Sequence, residues 1–216
     1  MRRWGDLNQI PMISVILPIG PSLIANPCGA PISGWLFAGH SFLTLAAGHL
    51  AIYAAIVFHE AGHFLATKKF GVPVSFVQIG RLPARRFRVC DGTEIILGWI
   101  PTGGEVYADD AAYKALPLRR RKIVSAAGPA ASIILTILAL LLFGCPLENL
   151  QAWWRHGQCG GSICDWIGVT FGWELFGAAF CTSLNIVPFK MPLWSKEERR
   201  WKWMPSDGWT VFFGDK

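Results

Sequence analysis

Charge is what this sequence has least of. Asp, Glu, Lys and Arg make up 16% of its 216 residues, against about 25% in an average soluble domain. Beside 52% hydrophobic residues, so little charge excludes a disordered chain, which lacks the apolar surface to fold. It also exceeds what a globule of this size can hide from water. No internal repeat or low-complexity run occurs, and the length fits one domain. Cysteines number six, and Cys159 and Cys164 have no second close pair, which excludes a zinc ribbon. The net charge is +6, but the basic residues sit beside long uncharged runs, so no nucleic-acid partner is expected.

What is present fits a bilayer. Mean hydropathy is +0.37, and eleven Trp with fourteen Phe suit aromatic belts at the two interfaces. A hydrocarbon core of about 30 Å needs about 20 apolar residues. Stretches 35–58 and 123–143 carry no formal charge, and 166–187 carries one, Glu174. The expected fold is therefore mainly α and integral to the membrane. Three core transmembrane helices are expected at about 35–67, 123–143 and 166–187 within a domain 35–216, preceded by a membrane-associated segment 1–34. In that segment 10–25 is apolar but interrupted by Pro11, Pro18, Gly20 and Pro21, so a span, a re-entrant piece and a surface strand all remain open.

Loop charges set the orientation. Residues 68–122 hold eleven Lys and Arg against five Asp and Glu, whereas the Lys and Arg of 144–165 come down to Arg155 alone. The first loop and the basic tail 189–216 are expected in the cytosol, and 144–165 opposite. Cys145, Cys159, Cys164 and Cys28 would then share the non-cytosolic side, where spacing leaves open whether they pair. Within the cytosolic loop, 72–79, 87–89 and 94–97 have strand composition. Asp91-Gly92 signals a turn, and Gly103-Gly104 is expected to close the last strand. A small β-sheet over 72–106 follows, with 119–122 as a basic anchor before the next span.

Chemistry concentrates in His59-Glu60-Ala61-Gly62-His63. On a helix, i and i+4 share a face about 5–6 Å apart, so two imidazoles can reach one zinc at about 2.0–2.1 Å. Glu60 lies about 100° around the helix, beside the metal without ligating it, where a general base belongs. The motif interrupts an apolar span, where an ionisable group is functional by default. Lys68 is the first cytosolic charge, so the helix rise puts the site about 8–14 Å below that surface. Candidates for a third ligand are Asp207, Glu174, His40, His49 and Glu105. His49 is about 21 Å from His63 along a straight helix, and His40 is farther.

The sequence resembles the site-2 protease family of intramembrane zinc metalloproteases. Besides the His-Glu motif with Gly62, it has Lys69-Phe70-Gly71-Val72 at the helix exit and Pro101-Thr102-Gly103-Gly104-Glu105-Val106. Further on are Ala127-Gly128-Pro129, Asn185-Ile186-Val187-Pro188 and Asp207-Gly208, in the family's order. The resemblance implies a Zn2+ held by His59, His63 and Asp207, with Glu60 as catalytic base and Asn185 binding substrate or stabilising an oxyanion. It also implies a transmembrane protein substrate within the lipid bilayer. Three departures stand out. Residues 189–204, with a charged run at 196–200, separate Asn185 from Asp207; Ser132 stands where the family has Asn; and eight residues follow Gly208. The loop 68–122 leaves no room for a PDZ domain.

Zinc-dependent endopeptidase is thus the leading expectation. The rivals are a non-catalytic membrane protein of the same fold that binds helices, and a metal or proton transporter using His40, His49, Glu60 and Glu174. Three spans argue against a transport cycle within one chain.

Overall fold

The computed structural model describes residues 34–82, 85–143, 163–195 and 200–213. The expected segment before Gly34, together with Cys28, Cys145 and Cys159, lies outside them.

The first uncharged run folds as α1, Gly34–Lys69. Lys68 and Lys69 occupy its last turn, where cations meet the unpaired carbonyls. It stops in a Schellman turn. Gly71 takes φ +74°, its N–H donates to the Lys68 carbonyl at 2.9 Å, and Val72 N–H donates to the Thr67 carbonyl at 3.2 Å. Only glycine adopts that φ without steric cost.

Four strands follow: β1 Val74–Arg81, β2 Arg85–Arg88, β3 Glu94–Leu97 and β4 Ile100–Ala108. Their order is β2-β3-β1-β4, with β1 parallel to β3 and antiparallel to β4. β1 starts two residues later than its composition suggested, after Pro73, which has no N–H to give a ladder. At the β2–β3 turn Gly92 has φ +85°, and Asp91 Oδ1 accepts from Thr93 N–H at 3.0 Å. Lys68 Nζ sits 2.8 Å from the other Asp91 oxygen. These bonds, Lys68's foremost, hold the Asp91 carboxyl down to about 2. One expectation needs correction. Gly103-Gly104 does not end a strand but runs through the middle of β4, because the strand there must pass close to α1.

A short helix that the composition did not announce, α2 Asp110–Ala115, is capped by Asp109, which accepts from Ala112 N–H. α3, Leu118–Phe143, takes the basic cluster into its first turns. α4, Ile163–Ser183, ends before the expected 187 and continues as one 3-10 turn, Leu184–Ile186. Val187 is already extended, at ψ 129°, because the residue before a proline is driven out of the α region. The inserted residues form an antiparallel hairpin of β5, Lys190–Ser195, and β6, Arg200–Pro205. Trp203, within β6, is exposed. α5, Asp207–Phe213, follows directly.

α1, α3 and α4 pack against one another and share a single core with one face of the sheet. It comprises Ala51, Ile52, Ala55 and Ile56 with Val74, Val77, Ile79 and Val106, then Leu135, Ala139, Leu175, Ala178 and Ala179. Small residues at the crossings let helix backbones approach closely. Gly62 is the limiting case: a Cβ there would lie 2.3 Å from the Ala127 carbonyl oxygen of α3. Tyr53 ties α1 to the sheet, its hydroxyl reaching the carbonyls of Ile79 and Gly98. The outward faces are the reverse of a soluble bundle. Leu141 and Leu142 are each 75% exposed, with Ile134, Leu50 and Leu65 also exposed. Among the described residues, two helices are long and apolar enough to cross a membrane, Leu45–Lys69 and Leu118–Phe143.

Candidate metal centre

α1 presents His59 and His63 on one face, with ring centroids 5.0 Å apart. α5 brings Asp207 to meet them. Asp207 Oδ2 lies 3.4 Å from His59 Nε2 and 3.3 Å from His63 Nε2. All three residues are buried, and one ligand atom from each lies within 4.8 Å of the others.

These distances fit a metal better than a direct contact. A charge-assisted N–H···O bond closes to about 2.7–2.9 Å, shorter than either. Ligands about 2.0–2.1 Å from a tetrahedral zinc are separated by about 3.3 Å, which both pairs match. Two imidazoles with one carboxylate also leave a fourth position open, as hydrolytic zinc sites do.

The partner of His63 sets its tautomer. His63 Nδ1 lies 2.8 Å from the Val124 carbonyl oxygen. A carbonyl only accepts, so Nδ1 carries the proton and Nε2 keeps its lone pair for a metal. His59 Nδ1 lies 2.9 Å from Ser132 Oγ. Ser132, the departure from the family's Asn, is thus the neighbour of a candidate ligand.

Two glycines make room. A Cβ on Gly128 would sit 2.2 Å from His63 Nε2, and one on Gly104 would sit 2.4 Å from Glu60 Cγ and 2.9 Å from its Oε1. The Gly-Gly of β4 and the Gly of Ala127-Gly128-Pro129 therefore mark where backbone passes against Glu60 and His63. Glu60 itself is 2% exposed, one residue along from His59.

The hairpin resolves the split between Asn185 and Asp207. Lys190 pairs with Pro205, so the insertion leaves and returns at one point. Ser206 seals that point with every valence used. Its Oγ donates to the Val187 carbonyl at 2.7 Å and accepts from Phe189 N–H at 3.1 Å and Trp209 N–H at 3.2 Å. The last bond makes Ser206 the N-cap of α5, a position where Ser is favoured. A Cβ on Gly208 would lie 1.8 Å from the Ile186 carbonyl oxygen, so the turn bearing the buried Asn185 packs on the backbone beside Asp207. A Ser directly before Asp207 was a legible cap signal; nothing in the sequence pointed to Val124.

The other candidate ligands stay apart from the cluster. The Glu174 carboxyl packs against Gly48, eleven residues before His59, or about 16 Å along α1. His49 is exposed, its ring against Tyr53 at 5.9 Å. Glu105 lies on β4 outside the cluster. His40 lies farther up α1, and its side chain is outside the described residues.

Fold and site together define a mainly helical protein with a two-histidine, one-carboxylate cluster where a long apolar helix meets α5. Residues 47–194 match peptidase family M50, and the chain belongs to that family. That range contains His59, Glu60, His63 and Asn185 but stops short of Asp207. The chain is also similar to two proteins of Xylella fastidiosa, from strain Temecula1 / ATCC 700964 and strain 9a5c, each titled "Putative zinc metalloprotease". Each is 33% identical over 98 residues, 39% of this chain and 22% of theirs. The chain thus matches about a fifth of the length of these curated relatives.

Proposed function

We propose that this chain is a zinc-dependent intramembrane endopeptidase that cuts a peptide bond in or beside a transmembrane segment. The observation that carries the proposal is the convergence of His59, His63 and Asp207 with Glu60 buried beside them. His59 Nε2, His63 Nε2 and one Asp207 oxygen would hold the metal. When bound, zinc supplies a Lewis acid that acidifies water toward pKa about 7 and polarises a carbonyl. Glu60 accepts the proton of the attacking water and delivers it to the leaving amine. Asn185, on the turn packed beside Asp207, would donate to the developing oxyanion.

A transmembrane helix must unwind before it can be cut, because its carbonyls are bonded internally. Among the described residues β4 is an outer strand of the four-stranded sheet, and its Gly104 lies against Glu60. A substrate added there as an extra strand would run past the base. The expected result is that purified protein in lipid vesicles cleaves a transmembrane substrate, loses activity on chelation and regains it with added zinc. Cleavage that survives chelation refutes the proposal.

The exposed outer faces of α1 and α3 support a lipid surrounding. A large apolar side chain kept in water forgoes about 1.5–3 kcal/mol of burial, and a bilayer removes that cost. α4 would be the third span, with 68–122 and 189–216 in the cytosol. In intact cells, membrane-impermeant thiol reagents should miss Cys90, which is exposed on the β2–β3 turn, until the membrane is opened. Labelling of Cys90 from outside overturns this topology.

A further inference from the structure

His59 lacks the backbone carbonyl that sets His63, and its partner is a hydroxyl, which can donate or accept. What removes that ambiguity lies one residue further out. Ser132 Oγ is 3.0 Å from Thr182 Oγ1, and Thr182 Oγ1 is 2.9 Å from the carbonyl of Ala179 in its own helix. The chain of contacts ends on an oxygen that only accepts. Each hydroxyl has a single proton, so all three contacts can be hydrogen bonds in one direction only. Thr182 donates to Ala179. Its oxygen is then open to Ser132, which donates to it. The Ser132 oxygen is left to accept, and His59 Nδ1 must carry the proton it accepts. Nε2 is thereby left with its lone pair toward Asp207, 3.4 Å away.

The relay joins three elements: His59 on α1, Ser132 on α3 and Thr182 at the end of α4. Ser132 is fully buried, so water does not compete for its proton. Its own backbone carbonyl takes the Thr136 hydroxyl at 2.8 Å, which keeps that hydroxyl occupied elsewhere.

We propose that Ser132 and Thr182 are positioning residues that hold His59 in its metal-ligating tautomer and orientation through a one-way hydroxyl relay ending on the Ala179 carbonyl. Neither touches the reacting atoms. The inference rests on the zinc reading of the site.

The test measures zinc affinity of the full chain in detergent by competition with a chromophoric chelator. Thermal melting of the metal-free proteins is followed alongside. Ser132→Ala should weaken zinc binding about 10–100-fold, the usual loss when a ligand's supporting partner is removed. Thr182→Val should weaken it as well, and Thr182→Ser should restore it. Because Thr182 acts only through Ser132, Thr182→Val in the Ser132→Ala background should change affinity no further. Wild-type zinc affinity in Ser132→Ala and Thr182→Val overturns the relay, and so do losses that add in the double variant or that track a lowered melting temperature. Failure of the unmodified chain to bind zinc would instead overturn the zinc reading. Ser132→Ala removes one oxygen only, so it keeps the test decisive if Thr182→Val does not fold.

Discussion

Glu60→Gln should keep its zinc and lose proteolysis. The amide preserves the shape that fits against Gly104, where the carboxyl carbon and Oε1 would each be 2.9 Å from an added Cβ. It removes only basicity. A positioned general acid–base contributes about 10²–10⁴-fold, and in the proposed mechanism Glu60 serves both steps, so the loss should fall at or beyond the upper end. Metal analysis of the purified variant should match the parent, because Glu60 is not among the three clustered ligands. Parental cleavage of a membrane substrate by Glu60→Gln would remove the mechanism while leaving the metal site standing.

Asp207→Ala should strip the metal, and Glu174→Ala should not. Asp207 supplies one of three converging ligand atoms and the cluster's only carboxylate. Its removal should cost more than the about 10–100-fold that follows from losing a supporting partner. Glu174 is also buried and also acidic, so the pair of variants separates placement from chemical type. Its carboxyl lies against Gly48, about 16 Å up α1 from His59, beyond the reach of any rotamer. Metal content of the two purified proteins decides the matter. Zinc kept by Asp207→Ala and lost by Glu174→Ala would mean that the third ligand has been misassigned.

What could be read from the residues alone tracks how local the governing physics is. The long helices were legible because absence of charge is a property of contiguous residues. Their ends were less so: the stop of α4 at Ser183 came from Val187-Pro188, and the start of β1 from Pro73. His59, Glu60 and His63 were legible because an i, i+4 spacing fixes which side chains share a helix face before any tertiary contact forms. Asp207 was one of five candidate ligands on residue type alone, and it was the resemblance that set it above Glu174, an equally acidic residue in an apolar setting.

The tertiary structure brings Asp207, and not Glu174, to the two histidines. The β5–β6 hairpin closes on itself, Ser206 seals its base, and Asp207 arrives beside a turn from which 189–204 separates it in sequence. It also turned Gly103-Gly104 from an expected strand end into the middle of β4, where the lack of a side chain admits Glu60. The Ser132–Thr182 contact joins residues 50 apart in sequence. The sequence by itself determined which atoms could bind a metal and which segments shun water, because both follow from residue type and short-range periodicity. Which of those atoms meet was decided by packing between distant elements, because a hydrogen bond or a ligand set depends on distances that no local pattern contains.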